Sequence, residues 1–288
     1  MHIIATYQGT KEIIDKYQFI FKKNYGQNFL IDPHVLNKIV AATAITGDDV
    51  IVEVGPGIGG LTEALAEKAK KVIAVEIDQR LLPVLADTLN RFDNIRVING
   101  DILKIDLNAL AAEEAAGQKI KLAANLPYYI TTPIIMNILE NYLPVSTITV
   151  MVQKEVGERM RAQPGTKDYG ALTLAVHYYA DCYLAANVPQ NCFMPRPAVD
   201  SAVIRLTVLD KPRVAVKDEQ LLFRLIKAGF YQRRKTLLNC LTNYPALSLN
   251  KTQAQTLIAQ CALPPDIRGE KLDLNAYAAL ADALYALR

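Results

Sequence analysis

DVIVEVGPGIGGLTEALAEKAKKVIAVEID, residues 49–78, decides the fold. Its two ends, DVIVEVG and KVIAVEID, are short and mostly β-branched, as buried strands are. GLTEALAEKAK between them has helical spacing. Strand, helix and strand at this interval form a βαβ unit, whose strands lie parallel with helices over both faces of the sheet.

Working outward, the same texture continues. NIRVINGD (94–101), KIKLAANL (119–126) and STITVMVQ (146–153) are further strands, and QRLLPVLADTLN is a helix that tolerates Pro83 near its first turn. CYLAANV (182–188) and SAVIRLTVL (201–209) finish the sheet as an antiparallel pair, giving seven strands. The expected fold is α/β: a Rossmann-like, seven-stranded, mostly parallel sheet over residues 1–209. Beyond Leu209 the pattern changes. KPRVAVKDE reads as a linker, and EQLLFRLIKAGFYQRRKTLLNCL, NKTQAQTLIAQC and LNAYAALADALYAL place apolar residues at helical spacing. Residues 210–288 are therefore expected to form a small all-helical domain.

Bulk properties agree with two domains. A chain of 288 residues is long for a single core. With 51% hydrophobic and 21% charged residues it has ordinary globular composition, and no apolar run reaches the roughly 18–20 residues that span a bilayer. The N-terminus carries no evident secretory signal. Cys182, Cys192, Cys240 and Cys261 lack the spacing of disulfide or zinc motifs, so a reducing, cytoplasmic setting without a bound metal is expected. The net charge of +3 is unevenly spread: residues 1–209 hold 20 Lys and Arg against 22 Asp and Glu, and residues 210–288 hold 12 against 7. A basic C-terminal region suits a polyanionic partner, and equally a solvated face.

The turn EVGPGIGGLT (53–62) is the first chemical signal. Its glycines turn the chain sharply and let backbone N–H groups approach a ligand. Gly55, Gly57 and Gly60 satisfy G-x-G-x-x-G, and Glu76 ends the next strand where an acid reaches a ribose hydroxyl pair. The turn alone fits a nicotinamide cofactor, S-adenosylmethionine or a plain tight connection. Asp101 closes the third strand, where a cofactor's adenine amine would lie, and Asn125 closes the fourth. Ligands of open parallel sheets bind outside the carboxyl ends of the strands, so Glu53, Glu76, Asp101 and Asn125 converge on one crevice.

NLPYYITTP (125–133) adds the substrate side. Pro127 has no N–H and biases Leu126 toward an extended conformation, leaving a local carbonyl to face the crevice beside the Asn125 amide. Tyr128 supplies a flat face. Two acceptors and an aromatic face suit the amino group of a planar base, whose lone pair is delocalised until its hydrogens are held. No conventional general base stands out: His2 is terminal, His34 lies beside a helix start and His177 reads as packing.

KKNYGQNFLID, EVGPGIGGLT, VIAVEID, NGDILK, NLPYYITTPI and VPQNCFMPRPAVDSAV, in this order, resemble the ribosomal RNA adenine N6-dimethyltransferases. The resemblance implies that Asn28 and Leu30 close over S-adenosylmethionine, that Gly55 contacts it, that Glu76 holds its ribose and that Asp101 binds its adenine. Gln27, Glu53, Gly57 and Asn125 belong to the same expected cofactor set. Asn125, Leu126, Pro127 and Tyr128 would hold the target base, with Phe193 stacked on its other side. The loop holding Gly26, Gln27 and Asn28 reads as a lid before a helix capped by Asp32 with Pro33 at its first position. Lys22, Lys23, Arg233, Arg234 and Lys235 are candidate phosphate contacts. The implied substrate is two adjacent adenosines near the 3′ end of small-subunit ribosomal RNA, each methylated twice by a monomer acting on the immature 30S subunit. A large-subunit RNA methyltransferase, a nicotinamide oxidoreductase and a noncatalytic assembly factor are the competing readings.

Overall fold

A computed structural model describes residues 3–21, 27–125 and 128–287, with the backbone alone for Tyr128 and Tyr129. The chain divides into two compact units, residues 1–157 with 183–208 and residues 158–182 with 209–288.

The first unit is built on a seven-stranded sheet. The strands of the protein are β1 (Phe29–Leu30), β2 (Val50–Val54), β3 (Lys71–Glu76), β4 (Ile95–Asn99), β5 (Ile120–Asn125), β6 (Val145–Gln153), β7 (Ala180–Val188), β8 (Phe193–Met194) and β9 (Ser201–Val208). The main sheet runs β4-β3-β2-β5-β6-β9-β7, with β4 through β6 parallel and β9 antiparallel to β6. Every residue of β2 is buried, as expected of a central strand covered on both faces. The chain order reverses between β2 and β5, which makes the carboxyl ends of these strands the switch point. β1 and β8 form a separate two-stranded sheet, pairing Phe29 with Met194 and Leu30 with Phe193. Sequence periodicity does not reveal a pair this short.

Six helices of this unit are α1 (Tyr7–Tyr17), α2 (Pro33–Thr43), α3 (Gly60–Ala66), α4 (Leu82–Thr88), α5 (Leu107–Glu114) and α6 (Tyr128–Glu140). α2 starts as its sequence dictates. The Asp32 carboxylate accepts from the N–H groups of His34 and Val35, Pro33 occupies the first turn, and Val35, Leu36, Ile39 and Val40 form the buried stripe. Each such side chain contributes about 1.5–3 kcal/mol when fully buried.

The remaining helices are α7 (Lys154–Arg161), α8 (Ala171–Tyr179), α9 (Glu219–Gly229), α10 (Leu237–Asn243), α11 (Lys251–Gln260) and α12 (Leu274–Ala286). The second unit takes residues 158–182 as well as the helices beyond Leu209, where the sequence placed 158–182 with the sheet. The reason is aromatic. The Tyr178 and Tyr179 hydroxyls donate to the Glu219 carboxylate at 3.1 and 2.6 Å, and both rings pack on Phe223. The Tyr169 hydroxyl donates to the Leu272 carbonyl at 2.8 Å. At the centre, α12 buries Tyr277 against Gly229, where an added Cβ would overlap the Tyr277 hydroxyl. Glycine is required there for close approach rather than for its dihedral freedom.

Gly229 also ends α9, so QRRK (232–235) lies in the turn before α10 and not on a helix face. The Thr236 side chain then caps α10.

Candidate functional site

A cleft in the first unit opens at the carboxyl ends of β2, β3 and β5. Gln27, Asn28, Leu30, Glu53, Gly55, Gly57, Glu76, Asp101 and Asn125 all line it. The sheet register accounts for the convergence. Glu53 lies beside Ala74 and Ala123 on the neighbouring strands, Glu76 pairs with Asn99, and Asn125 ends β5.

Glu76 is 4% exposed and has both carboxylate oxygens engaged. Oε2 accepts from the Gly57 N–H at 3.2 Å and Oε1 from the Asp78 N–H at 2.8 Å. Burial pushes its pKa up, and these N–H groups oppose the shift. Gly57 adopts φ 59° with the Phe29 ring 3.0 Å from where a Cβ would stand. Only a glycine fits that turn.

Glu53 is 1% exposed, and its Oε2 has no hydrogen-bond partner among the described residues. Burial, reinforced by the negative charge of Glu76, pushes its pKa up to about 8. The nearby Thr62 hydroxyl opposes the shift without reaching good hydrogen-bond geometry. Two buried carboxyl groups in one cleft suit a cationic ligand, whose charge would favour their ionised forms and offset the cost of burying them.

Asp101 accepts from the Leu103 N–H at 3.1 Å and so caps the following turn while lining the cleft. Asn125 donates through Nδ2 to the Asn28 carbonyl at 3.4 Å, which turns one N–H of its amide toward the Gln27–Leu30 segment. The cleft also gains residues that the sequence did not single out. Ile4 reaches it from the N-terminal segment, Ile77 is 53% exposed beside it, and Ile130 and Ile134 come from α6. An apolar residue next to a strand-end acid was the available signal for Ile77; Ile4 had none.

Other expected site residues fall elsewhere. Phe193 is 4% exposed, packs in the core with Leu30, Val188 and Cys192, and does not line the cleft. Pairing of β8 with β1 sets Phe193 beside Leu30, which itself lines the cleft. Lys22, Lys23, Gly26, Leu126 and Pro127 lie outside the described residues, and Tyr128 opens α6 with only its backbone described.

In the second unit Arg234 and Lys235 are exposed. Arg233, also exposed, donates to the carbonyls of Lys167 and Tyr169 at 2.7 and 3.2 Å and pairs with Glu270 at 3.7 Å. Its guanidinium holds the turn in place. His177 is half-buried in α8, and burial, with Arg213 adding to it, lowers its pKa. All four cysteines are free. Among the described residues there is no cluster of three or more metal-ligating side chains and no helix long and apolar enough to cross a membrane.

The switch-point cleft, the glycine turn and the seven-stranded order with its antiparallel β9 define a class I methyltransferase. Comparison with solved structures agrees. A dimethyladenosine transferase from Plasmodium falciparum superposes with a TM-score of 0.72 at 27% identity, over 87% of this chain and 95% of that one. The 23S rRNA methyltransferase ErmE superposes with a TM-score of 0.67 at 25% identity, over 90% and 100%. Curated relatives are nearer in sequence. Ribosomal RNA small subunit methyltransferase A of Lachnoclostridium phytofermentans is 56% identical over 96% of this chain and 95% of its own. The protein of that name from Geobacillus thermodenitrificans is 54% identical over 99% and 98%. The profile of the family described as ribosomal RNA adenine dimethylase matches residues 18–263, and the chain belongs to that family.

Proposed function

We propose that this enzyme uses S-adenosylmethionine to dimethylate N6 of two adjacent adenosines near the 3′ end of small-subunit ribosomal RNA. The observation that carries the reading is the meeting of Glu53, Glu76, Asp101 and Asn125 in one cleft, in a chain more than half identical to small-subunit methyltransferases. That identity, against 25% to the large-subunit enzyme ErmE, favours the small subunit over the large one.

The chain's residues fit the donor. In the proposal Glu76 and Asp101 hold its adenosine, and Gln27, Asn28, Leu30, Gly55 and Gly57 line its path. Glu53 offers the donor's positive charge a buried carboxyl whose Oε2 has no hydrogen-bond partner among the described residues. Once bound, the donor supplies a methyl group on cationic sulfur, so the reaction needs alignment more than a strong base. The side-chain oxygen of Asn125, whose Nδ2 is committed to Asn28, accepts a hydrogen of the adenine amine and draws its lone pair out of conjugation. Leu126, Pro127 and Tyr128 complete this acceptor and stacking site. A base inside a duplex cannot reach such a cleft, so the target lies in a loop or is flipped out.

The second unit is assigned to RNA recognition. Residues 158–182 add equal numbers of acidic and basic residues, so its positive excess stays with the helices beyond Leu209. Arg234 and Lys235 meet phosphate while Arg233 fixes their turn. The working particle is an immature 30S subunit in the cytoplasm, and the enzyme acts as a monomer. Incubation with labelled donor and separated, undermethylated ribosomal subunits tests this reading. Label in small-subunit RNA supports it; label confined to the large subunit overturns it.

A further inference from the structure

Asp78 is 3% exposed and makes more connections than a turn requires. It caps the short helical turn Gln79–Leu81 by accepting from the Arg80 N–H at 3.2 Å. The carboxylate then accepts three more hydrogen bonds. Oδ1 accepts from Arg80 Nε at 2.9 Å, and Oδ2 accepts from Arg80 Nη2 at 2.5 Å and from Gln27 Nε2 at 3.0 Å, across 51 residues of chain. Its backbone N–H meanwhile donates to Glu76.

Arg80 carries the connection onward. Its Nη1 donates to the Ile20 carbonyl at 3.2 Å, and its guanidinium stands 5.1 Å from the centre of the Phe19 ring. Phe19 packs on Phe29 at 5.8 Å, and Phe29 fills the space over Gly57, whose N–H holds the other oxygen of Glu76. The contacts close a ring: Glu76, Asp78, Arg80, Phe19, Phe29, Gly57 and back to Glu76. One of its members is the acid assigned to the donor's sugar, and on it hangs Gln27 at the cleft wall.

We infer that Asp78 is a positioning residue that locks the N-terminal segments 18–21 and 27–30 to the sugar-binding acid Glu76, so that donor affinity depends on a residue outside the donor's own contacts. The inference rests on the proposed donor site. A purely local cap is the competing account, and chemistry separates the two. Asn caps a helical turn as well as Asp does but lacks the charge that binds the guanidinium. Asp78→Asn therefore keeps the cap and loosens the ring.

The test uses the full chain and two readouts. Calorimetry with S-adenosylmethionine is expected to show binding weakened by about tenfold in Asp78→Asn, the scale of one charge-assisted hydrogen bond. Turnover at saturating donor is expected to stay within about twofold, because a group that acts through ground-state binding moves KM and not kcat. Amide exchange on the ligand-free protein is expected to quicken at residues 19–21 and 27–30, beyond the Asp78 turn. Arg80→Gln, a change at a partly exposed side chain, is expected to reproduce both effects if Asp78→Asn folds poorly. Unchanged affinity, or faster exchange confined to residues 79–82, would overturn the inference. If the wild type itself does not bind the donor, the site assignment fails, and the exchange measurement still decides whether the ring exists.

Discussion

Replacing Glu53 by Gln should stabilise the ligand-free protein, and the gain should depend on pH. In the unfolded chain Glu53 loses its proton near its ordinary value of 4.5, whereas in the folded protein burial holds the proton until about 8. Between these values the folded state binds more protons than the unfolded state, so the native residue costs stability progressively as pH rises from 4.5 to 8, and the cost is constant above that. Gln is neutral throughout and escapes it. The interval of about 3.5 pH units sets a ceiling of about 5 kcal/mol at 1.36 kcal/mol per unit. Water entering the cleft lowers the realised value, and a gain of about 2 kcal/mol at pH 8 relative to pH 5 corresponds to about 4–8 °C in Tm for a unit of this size. Scanning calorimetry of both proteins at several pH values measures it. A Tm difference that is flat from pH 5 to 8, or that favours Glu53 at high pH, would refute the claim that burial keeps this carboxyl protonated.

Other expectations are specific to single contacts. Asn125→Ala should lower methyl transfer by about 100-fold or more, the scale seen when one positioned polar group of a reaction centre is removed, while donor affinity stays close to wild type; unchanged turnover would remove Asn125 from the mechanism. Arg234→Ala and Lys235→Ala should each flatten the log–log salt dependence of RNA binding by about 0.7–0.9 with no loss of stability. Arg233→Ala should instead destabilise the helical unit by about 0.5–1.5 kcal/mol, since the Lys167 and Tyr169 carbonyls exchange a charged donor for water, and denaturant melts distinguish the two behaviours. Gly229→Ala should lower Tm more than any of these, because its methyl group would stand inside the Tyr277 hydroxyl; a neutral melt would mean that α9 and α12 shift apart easily.

What could be read without coordinates followed from local rules. Strand ends are legible because β-branched runs stop where glycine or an acid begins, and the sheet register then brings Glu53, Glu76, Asp101 and Asn125 together. The cap of α2 is legible because Asp32 and Pro33 are adjacent. What escaped depends on distant partners. The apolar spacing on either side of QRRK runs across a turn whose position is set by the contact of Gly229 with Tyr277. The membership of 158–182 rests on tyrosines meeting Glu219 and Phe223 from another part of the chain. Phe193 ahead of Pro195 and Pro197 reads alike whether buried or exposed, and its place in the core beside Leu30 depends on a strand far away in the chain. Asp78 and Gln27 likewise carry no local sign of each other.

The central claim is that one cleft at the β2–β5 switch point brings the methyl donor to the amide of Asn125. A crystal structure with S-adenosylhomocysteine, the demethylated donor, tests it most directly. The account predicts its ribose hydroxyls on Glu76, its adenine beside Asp101 and its sulfur turned toward Asn125. Density for the ligand at any other place, or in the cleft with the sulfur turned away from Asn125, would contradict it.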